Sequence, residues 1–468
     1  MIQTNYIVAI ELSSSKVTGA VGIETINGIK IIATASTLVD GYISKGVVRN
    51  VDKTSEAIAD IINRLEHDLT DNDGKEITIK RAYVSLAGLT MHSIQSKVTR
   101  TFDTYTKISA ETISEMELEN DALFQVPDGY SKVHVITQEY KVDGKTDHNP
   151  IGAPAMAIEG RYLNIVIKKQ FLEQLNESFE QVDTVITDSF VAACMDADIL
   201  LTKDARRNGC ALVNIGAETT TVSIYNNDNL RMLKVLPLGS NNITRDLCAE
   251  QISYDAAEVI KITRGYKSQA SETEPVSNET TNNIIRARMG EILQNVKYQI
   301  EESGEMIHNI IFTGGGSRLK NLDSLLQEYL PNFNTSIVSD PQLAFECKPG
   351  VNTYGIFTTA LYGLLNHGKE NCCEETSNEP EPLPGNGLLF ADDIMSIPST
   401  RVEETTTTDH NENKQEAKLE ENKTTAAKPP KKPKPGKTWI KDLFGGIKTY
   451  LEDATSEDDN DDINNEDD

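Results

Sequence analysis

Three short segments, far apart in the chain, carry residue types that can hold phosphate. They are residues 8–22 (VAIELSSSKVTGAVG), 212–225 (LVNIGAETTTVSIY) and 310–319 (IIFTGGGSRL). In the first two, an apolar strand enters a tight turn of small and hydroxyl residues and a second apolar strand follows. Backbone N–H groups and hydroxyls then converge where an anion can sit. Ser13, Ser14 and Ser15 could donate to a terminal phosphate, and Lys16 adds charge; the second turn offers Asn214, Gly216, Ala217, Glu218 and Thr219. The third segment is a strand running into Gly314, Gly315, Gly316 and Ser317 and then a helix, which lets backbone approach an adenosine or its first phosphate. Plainer readings exist: a serine-rich β-turn for the first, and close strand–helix packing for the glycine run. Glu218 brings charge to the wrong place, since two unit charges about 4 Å apart repel by about 4 kcal/mol at an effective dielectric near 20. Phosphate binding therefore needs its side chain to point away or to meet a cation. The order of the three segments predicts two similar half-domains closing over one nucleotide.

Composition narrows the alternatives. At 468 residues the chain predicts two to four units, at roughly 100 to 200 residues each. Net charge of −27 and apolar content of 38% average a globular body with an acidic tail. Nothing supplies a broad basic face, so nucleic acid is not an expected partner. Six cysteines, at 194, 210, 248, 347, 372 and 373, show no metal spacing and read as thiols of a reducing compartment. The adjacent Cys372 and Cys373 read as incidental surface thiols, or else as a metal or redox pair. No basic leader precedes the first strand, so no signal peptide is expected, and no run reaches about 18 apolar residues.

The elements that must position these segments follow from periodicity. Residues 7–11, 18–23 and 29–36 read as strands, 52–69 as a helix and 81–86 as a strand. From 83 to 157 the pattern changes to that of an inserted module, with strands around a helix at 110–123. Then come strand 161–168, helix 170–180, strand 184–187 and a helix from Ser189. The second half repeats three strands (210–215, 219–225, 230–237), with Gly239 just beyond the third. Helices 241–251 and 256–267, a polar loop at 268–283, helix 284–303, strand 309–312, helix 322–329 and a final apolar helix at 354–366 complete it. Two such tandem units predict a sheet in each half with the ligand between them.

Together these residues resemble the bacterial FtsA cell-division family of the actin and Hsp70 superfamily. The likeness covers roughly residues 5–370 and the terminal helix, and its more specific marks are 134–140 (HVITQEY), 149–152 (NPIG), 258–261 (EVIK), 313–316 (TGGG) and 363–369 (GLLNHGK). It implies an α/β, actin-like (ribonuclease H-like) two-lobed ATPase fold with an inserted α+β subdomain and a disordered C-terminal tail that ends in an amphipathic helix. The implied division is subdomain 1A at 1–82 and 161–205, the insert 1C at 83–160, 2A at 206–239 and 304–350, 2B at 240–303, and a return helix at 351–368. A linker at 369–437, the amphipathic helix at 438–451 and an acidic tail at 452–468 follow.

The resemblance further implies ATP with Mg²⁺ in the cleft, polymerisation into a filament, membrane residence at the division septum on the cytoplasmic face, capture of the FtsZ C-terminal peptide and recruitment of later divisome proteins. In the family an Asp usually opens the second turn and positions Mg²⁺; here Asn214 stands there, able to hold the metal through water but without charge. Asp188 sits where actin-like ATPases often carry a water-positioning acid, although a helix cap explains it equally well. Glu258 and Lys261 match family positions near the ribose, or else form a solvated helix pair. FtsZ capture points to helix 284–303, where Arg286 and Arg288 are contacts for an acidic peptide or ordinary surface charges. The altered 214–218 turn predicts ATP binding with slow or absent hydrolysis, against a sugar kinase or Hsp70-like enzyme. A pilus-assembly protein similar to PilM is the other alternative.

Trp439, Ile440, Leu443, Phe444, Ile447, Tyr450 and Leu451 form one apolar stripe flanked by Lys441 and Lys448. The stripe predicts an interfacial anchor for anionic lipid, the alternative being a helix packed on the body. Burial of its side chains offers roughly 7 to 14 kcal/mol gross. Ordering the segment takes most of that, so single copies bind weakly and a polymer binds by avidity. The basic spacer 428–435 (KPPKKPKP) favours anionic lipid and the acidic run 452–468 opposes it.

Overall fold

Ile7, Val8, Ala9 and Ile10 are all buried, a continuous apolar run that suits a strand covered on both faces. The computed structural model describes residues 4–69, 76–267, 275–338, 346–351 and 358–376. The strand is β1 (Tyr6–Leu12), followed by β2 (Lys16–Thr25) and β3 (Gly28–Leu38) in an antiparallel meander. The short β4 (Ile43–Ser44) and β5 (Val47–Val48) pair with each other. Helix α1 (Val51–Leu69) then lays Ala57, Ile58, Ile61, Ile62 and Leu65 into the core at helical spacing. After β6 (Glu76–Ile79), β7 (Arg81–Leu86) runs parallel to β1.

The insert is β8 (His92–Lys107), α2 (Ala110–Leu123), β9 (Tyr130–Val142), β10 (Lys145–Asp147) and β11 (Pro154–Lys168). The chain returns through α3 (Lys169–Glu180) to β12 (Val185–Val191), which is parallel to β7, and then α4 (Ala192–Leu200) and α5 (Lys203–Asn208). The second lobe is β13 (Cys210–Ile215), β14 (Thr220–Asn226), β15 (Asn229–Leu236), α6 (Asn241–Cys248), α7 (Tyr254–Arg264), α8 (Asn278–Glu302), β16 (Asn309–Thr313), α9 (Leu322–Tyr329) and β17 (Asn334–Ile337). Finally β18 (Glu346–Cys347) edges the first sheet, α10 (Thr359–His367) packs on α4, and β19 (Cys373–Thr376) pairs with β6.

The two lobes repeat one topology. The first sheet runs β12-β7-β1-β2-β3-β18, and the second contains β17-β16-β13-β14-β15. In each, the central strand opens a three-stranded antiparallel meander on one side and is flanked by two parallel strands on the other. One pairing, Lys234 with His92, joins the second sheet to the insert. One hydrophobic core fills the first lobe and extends to Ile165 of the insert and to Leu212 and Leu233 of the second lobe, and two others lie within the second lobe and the insert. No helix among the described residues is long and apolar enough to cross a membrane.

Several expectations change. Tyr83 lies in β7 of the first-lobe sheet, so the insert begins after that strand rather than at 83. Residues 161–168 belong to the insert's sheet because β11 continues unbroken and pairs with β8 and β9. The helix expected from Ser189 starts at Ala192, since β-branched and aromatic residues keep β12 extended beside β7. Helix α8 begins earlier than expected because Ser277 caps it, accepting from the Thr280 N–H.

The disordered linker expected from residue 369 starts too early. Glu370 pairs with Arg81, the Cys372 N–H donates to the Tyr6 carbonyl, and β19 closes the edge of β6. Cys372 and Cys373 are therefore buried, not surface thiols, and burial pushes them up to about 11 and about 12. Residues 377–468, which include the rest of the expected linker, the amphipathic helix and the acidic tail, lie outside the described residues.

Candidate functional site

The first turn divides its three hydroxyls. Ser13 serves the hairpin itself: its Oγ donates to the Lys16 carbonyl at 2.8 Å and accepts the Lys16 N–H at 3.2 Å. Ser14 Oγ accepts the Gly46 N–H at 2.8 Å, tying the segment after β4 to the turn. Ser15 is exposed. The expected trio of phosphate donors thus reduces to Ser15 and the remaining proton of Ser14, because the Ser13 proton is spent on the turn.

The second turn is closed by Gly216 N–H donating to the Thr219 carbonyl at 2.8 Å. It rests on Gly239, whose lack of a Cβ lets the backbone at Ala217 and Glu218 come close. Asn241 N–H completes the contact at 2.7 Å from the Ala217 carbonyl. Glu218 meets a cation, as its phosphate-site reading required. One carboxylate oxygen pairs with Arg245, and the other accepts the Ser44 hydroxyl at 2.9 Å and the Lys45 N–H at 2.7 Å. Burial alone would raise its pKa, but the Lys45 N–H, Ser44 and Arg245 outweigh burial and hold it below 4.5.

Between the turns lies a polar floor that sequence reasoning missed. Glu11, next to last in β1, accepts the hydroxyl of Thr358, the residue that caps α10. Asp196, on α4, accepts the Thr359 hydroxyl and, at 2.8 Å, the Asn214 side-chain N–H. Burial raises both carboxyls; at Glu11 the Thr358 hydrogen bond and Lys16 oppose the rise and Asp196 adds to it, while at Asp196 the Thr359 and Asn214 hydrogen bonds oppose it. Lys16 is lowered by burial, is raised in part by Glu11, and feels Arg318 from the second lobe. Asp196 thus places a buried carboxyl beside Asn214, where the second turn's own residue is a neutral amide. The available signals were a glutamate near the end of a buried apolar strand and an aspartate inside the apolar helix AACMDADIL.

Gly314 sits at φ +89°, and a Cβ there would overlap Asn214 Oδ1 and the Ile215 carbonyl. Ser317 is buried, and its hydroxyl donates to the Gly314 carbonyl at 2.7 Å, while Gly315 faces open space. Gly316 packs on Ile215. The following residues dock on the end of α7, with Tyr266 N–H donating to the Lys320 carbonyl at 2.9 Å. On α7 itself, Lys261 is 6% exposed and bonds Glu258 at 2.7 Å and Thr244 at 3.0 Å. This corrects the solvated-pair alternative: burial lowers Lys261 and Glu258 partly offsets it.

Asp188 is neither cap nor floor. It lies exposed within β12, where its carboxylate accepts the Ser189 N–H at 2.7 Å; burial lowers the pKa of His134 in the insert, and Asp188 partly opposes that. A bulge between Ile186 and Asp188 sets this register. Arg286 is held by Glu328 at 2.9 Å, and Arg288 by Asp246 and by Glu291 at 2.9 Å, so both guanidiniums are already paired. A polar cleft of about 550 Å³, lined by Thr137, His148, Arg207 and Asn229, opens where the insert meets the second lobe and contains none of the expected site residues. Trp439, Ile440, Leu443, Phe444, Ile447, Tyr450 and Leu451 lie outside the described residues.

Comparison with known proteins agrees with this architecture. Residues 211–345 match the family model "Cell division protein FtsA", and residues 88–166 match "SHS2 domain inserted in FTSA", which spans the insert's strands as the structure draws them. A curated Cell division protein FtsA from Porphyromonas gingivalis is 27% identical over 376 residues, 74% of this chain and 77% of that protein. One from Bacillus subtilis is 26% identical over 350 residues, covering 69% and 77%. Among solved structures, a PilM-PilN type IV pilus biogenesis complex aligns with a TM-score of 0.56 at 16% identity, over 77% of this chain and 97% of that one, a likeness of fold.

Proposed function

Because the chain is a member of the FtsA cell-division family with an actin-like fold, we propose that it is an ATP-binding adaptor that polymerises on the cytoplasmic face of the membrane at the division septum and tethers FtsZ there. The observation that carries the nucleotide reading is the convergence of two phosphate-type turns, on two sheets of one topology, over the Glu11–Asp196–Asn214 floor. The β- and γ-phosphates would lie between Ser14, Ser15 and Lys16 on one side and Gly216, Ala217 and Thr219 on the other. Gly314, Gly315 and Gly316 leave room for the adenosine end, with Ser317 holding that turn. Of the α7 pair, Glu258, at 33% side-chain exposure, is the group free to reach a ribose hydroxyl.

The oxygen-rich floor suits Mg²⁺, whose donors are carboxylates and carboxamides. Glu11 and Asp196 would supply carboxyl oxygens and Asn214 its side-chain oxygen, and the ion would offset the charge of the phosphates. Asp188 lies exposed in β12 with its carboxylate on the neighbouring Ser189 N–H, and the altered 214–218 turn leads to an expectation of slow turnover. A rate of several ATP per second from purified protein would contradict that.

The stripe from Trp439 to Leu451 would anchor the chain on anionic lipid, and divisome proteins would be recruited to the resulting filament. Arg286 and Arg288 can join an acidic FtsZ peptide only by exchanging Glu328 and Asp246 for its carboxylates. Two cell-division family models favour this reading over a pilus-assembly role. Co-sedimentation of the full chain with anionic vesicles and FtsZ, with and without ATP, tests it: FtsZ should pellet with vesicles only when this protein is present, and W439E/F444E should release both. Undiminished pelleting of that variant would remove the anchor from the account.

A further inference from the structure

The geometry points to Glu218 as a built-in stand-in for a terminal phosphate, so that the cleft prefers a nucleoside diphosphate to the corresponding triphosphate. This rests on the nucleotide reading above and refines it. The carboxylate hangs from the second phosphate turn yet takes its donors from both lobes. Ser44 and the Lys45 N–H reach it from the first lobe at 2.9 and 2.7 Å, and Arg245 reaches it from the second. A hydroxyl, a backbone N–H and a guanidinium converging on one anion are the set that a phosphoryl group recruits.

The segment that supplies those donors is itself fastened to the first turn. Gly46, next after Lys45, gives its N–H to Ser14 at 2.8 Å. An unbroken path therefore runs from one phosphate turn to the other: Ser14, Gly46, Lys45, Glu218. The Glu218 side chain is only 11% exposed, and its partners keep it ionised at neutral pH.

With the adenosine end at the glycine run, as proposed above, the third phosphate would reach furthest from it and towards the two turns. There it would have to displace the Glu218 carboxylate from donors already satisfied or lie beside it as a like charge in a poorly hydrated place. A second phosphate stops short of that contest. Glu218 also joins the lobes without help from the ligand, so the diphosphate complex keeps the bridge and the triphosphate complex must open it.

Calorimetric titration of the full chain with ADP and with ATP, each with Mg²⁺, tests this on the wild type, E218G and E218Q. The wild type should bind ADP at least about tenfold more tightly than ATP, equivalent to about 1.4 kcal/mol. E218G should erase or reverse that ratio, and the isosteric E218Q, which keeps an oxygen for the Lys45 N–H but loses the charge, should fall between them. If E218G does not fold, E218Q alone decides, because a purely structural role for Glu218 would shift both affinities together and leave their ratio fixed. ATP binding as tightly as ADP to the wild type, or a ratio unchanged in E218Q, overturns this inference and leaves the nucleotide reading intact. Failure of the wild type and variants to bind either nucleotide overturns both.

Discussion

The two phosphate-type turns sit on sheets of the same topology and are built on opposite plans. The first turn is neutral at its tip: Ser13 stabilises its own hairpin, Ser14 holds Gly46 and Ser15 faces solvent. The second turn has no hydroxyl at its tip before Thr219 and puts an ionised Glu218 across to the other lobe. Equivalent positions in a repeated fold thus have unequal duties. One turn keeps a single exposed hydroxyl, Ser15, at its tip, and the other commits its Glu218 to partners within the chain.

The strongest way to break the comparison is to remove the space that lets the second turn meet the third segment. G314V forces a positive φ on a β-branched residue and overlaps Asn214, adding backbone strain to overpacking. Denaturant unfolding should show a loss of roughly 3 kcal/mol or more. A value near zero would mean that this contact is not what seats the second turn.

A smaller effect tests whether α7 supports the site by a buried cation. K261M removes the cation from Glu258, which keeps only the Thr244 hydroxyl at 2.6 Å. A fully buried pair would lose about 3 to 5 kcal/mol on such a change; because Glu258 keeps part of its surface in water, about 1 to 2 kcal/mol is expected by the same melts.

The division among the serines is sharper still. S14A removes the acceptor for the Gly46 N–H and should cost about 1 kcal/mol, while S15A, at an exposed position, should stay within about 0.5 kcal/mol of wild type. Equal losses would abolish the distinction drawn between them.

The smallest effect concerns acid. Glu218 has a folded pKa depressed below its ordinary 4.5, so its contribution is present above that value and disappears as pH falls through the folded pKa. E218Q should therefore lower stability slightly at neutral pH, by less than about 1 kcal/mol since Arg245 is half exposed, and match the wild type in strong acid. A difference that grows on acidification would have the wrong sign.

Much of this was legible in the chain before folding. The paired apolar runs at 7–11 and 18–23, and again at 210–215 and 219–225, become the central strands because burial on both faces demands such runs. The triple glycine announced a close approach, and Gly314 makes one. Residues near 188 and 372 were harder. Short stretches without a clear period suit helix, loop or strand alike until β7 and β6 offer an edge, and pairing to a distant edge leaves no local signal.

Local pattern by itself determined the two repeated sheets, the turns between their strands and the glycine approach, because side-chain alternation and backbone freedom act over a few residues. Only the tertiary structure decided that Glu11, Asp196, Asn214, Thr358 and Thr359 share one floor, and that Glu218 faces Ser44, Lys45 and Arg245. Hydrogen bonds and charge pairing depend on distance in space, and these residues are brought together by packing between lobes, to which sequence spacing is blind.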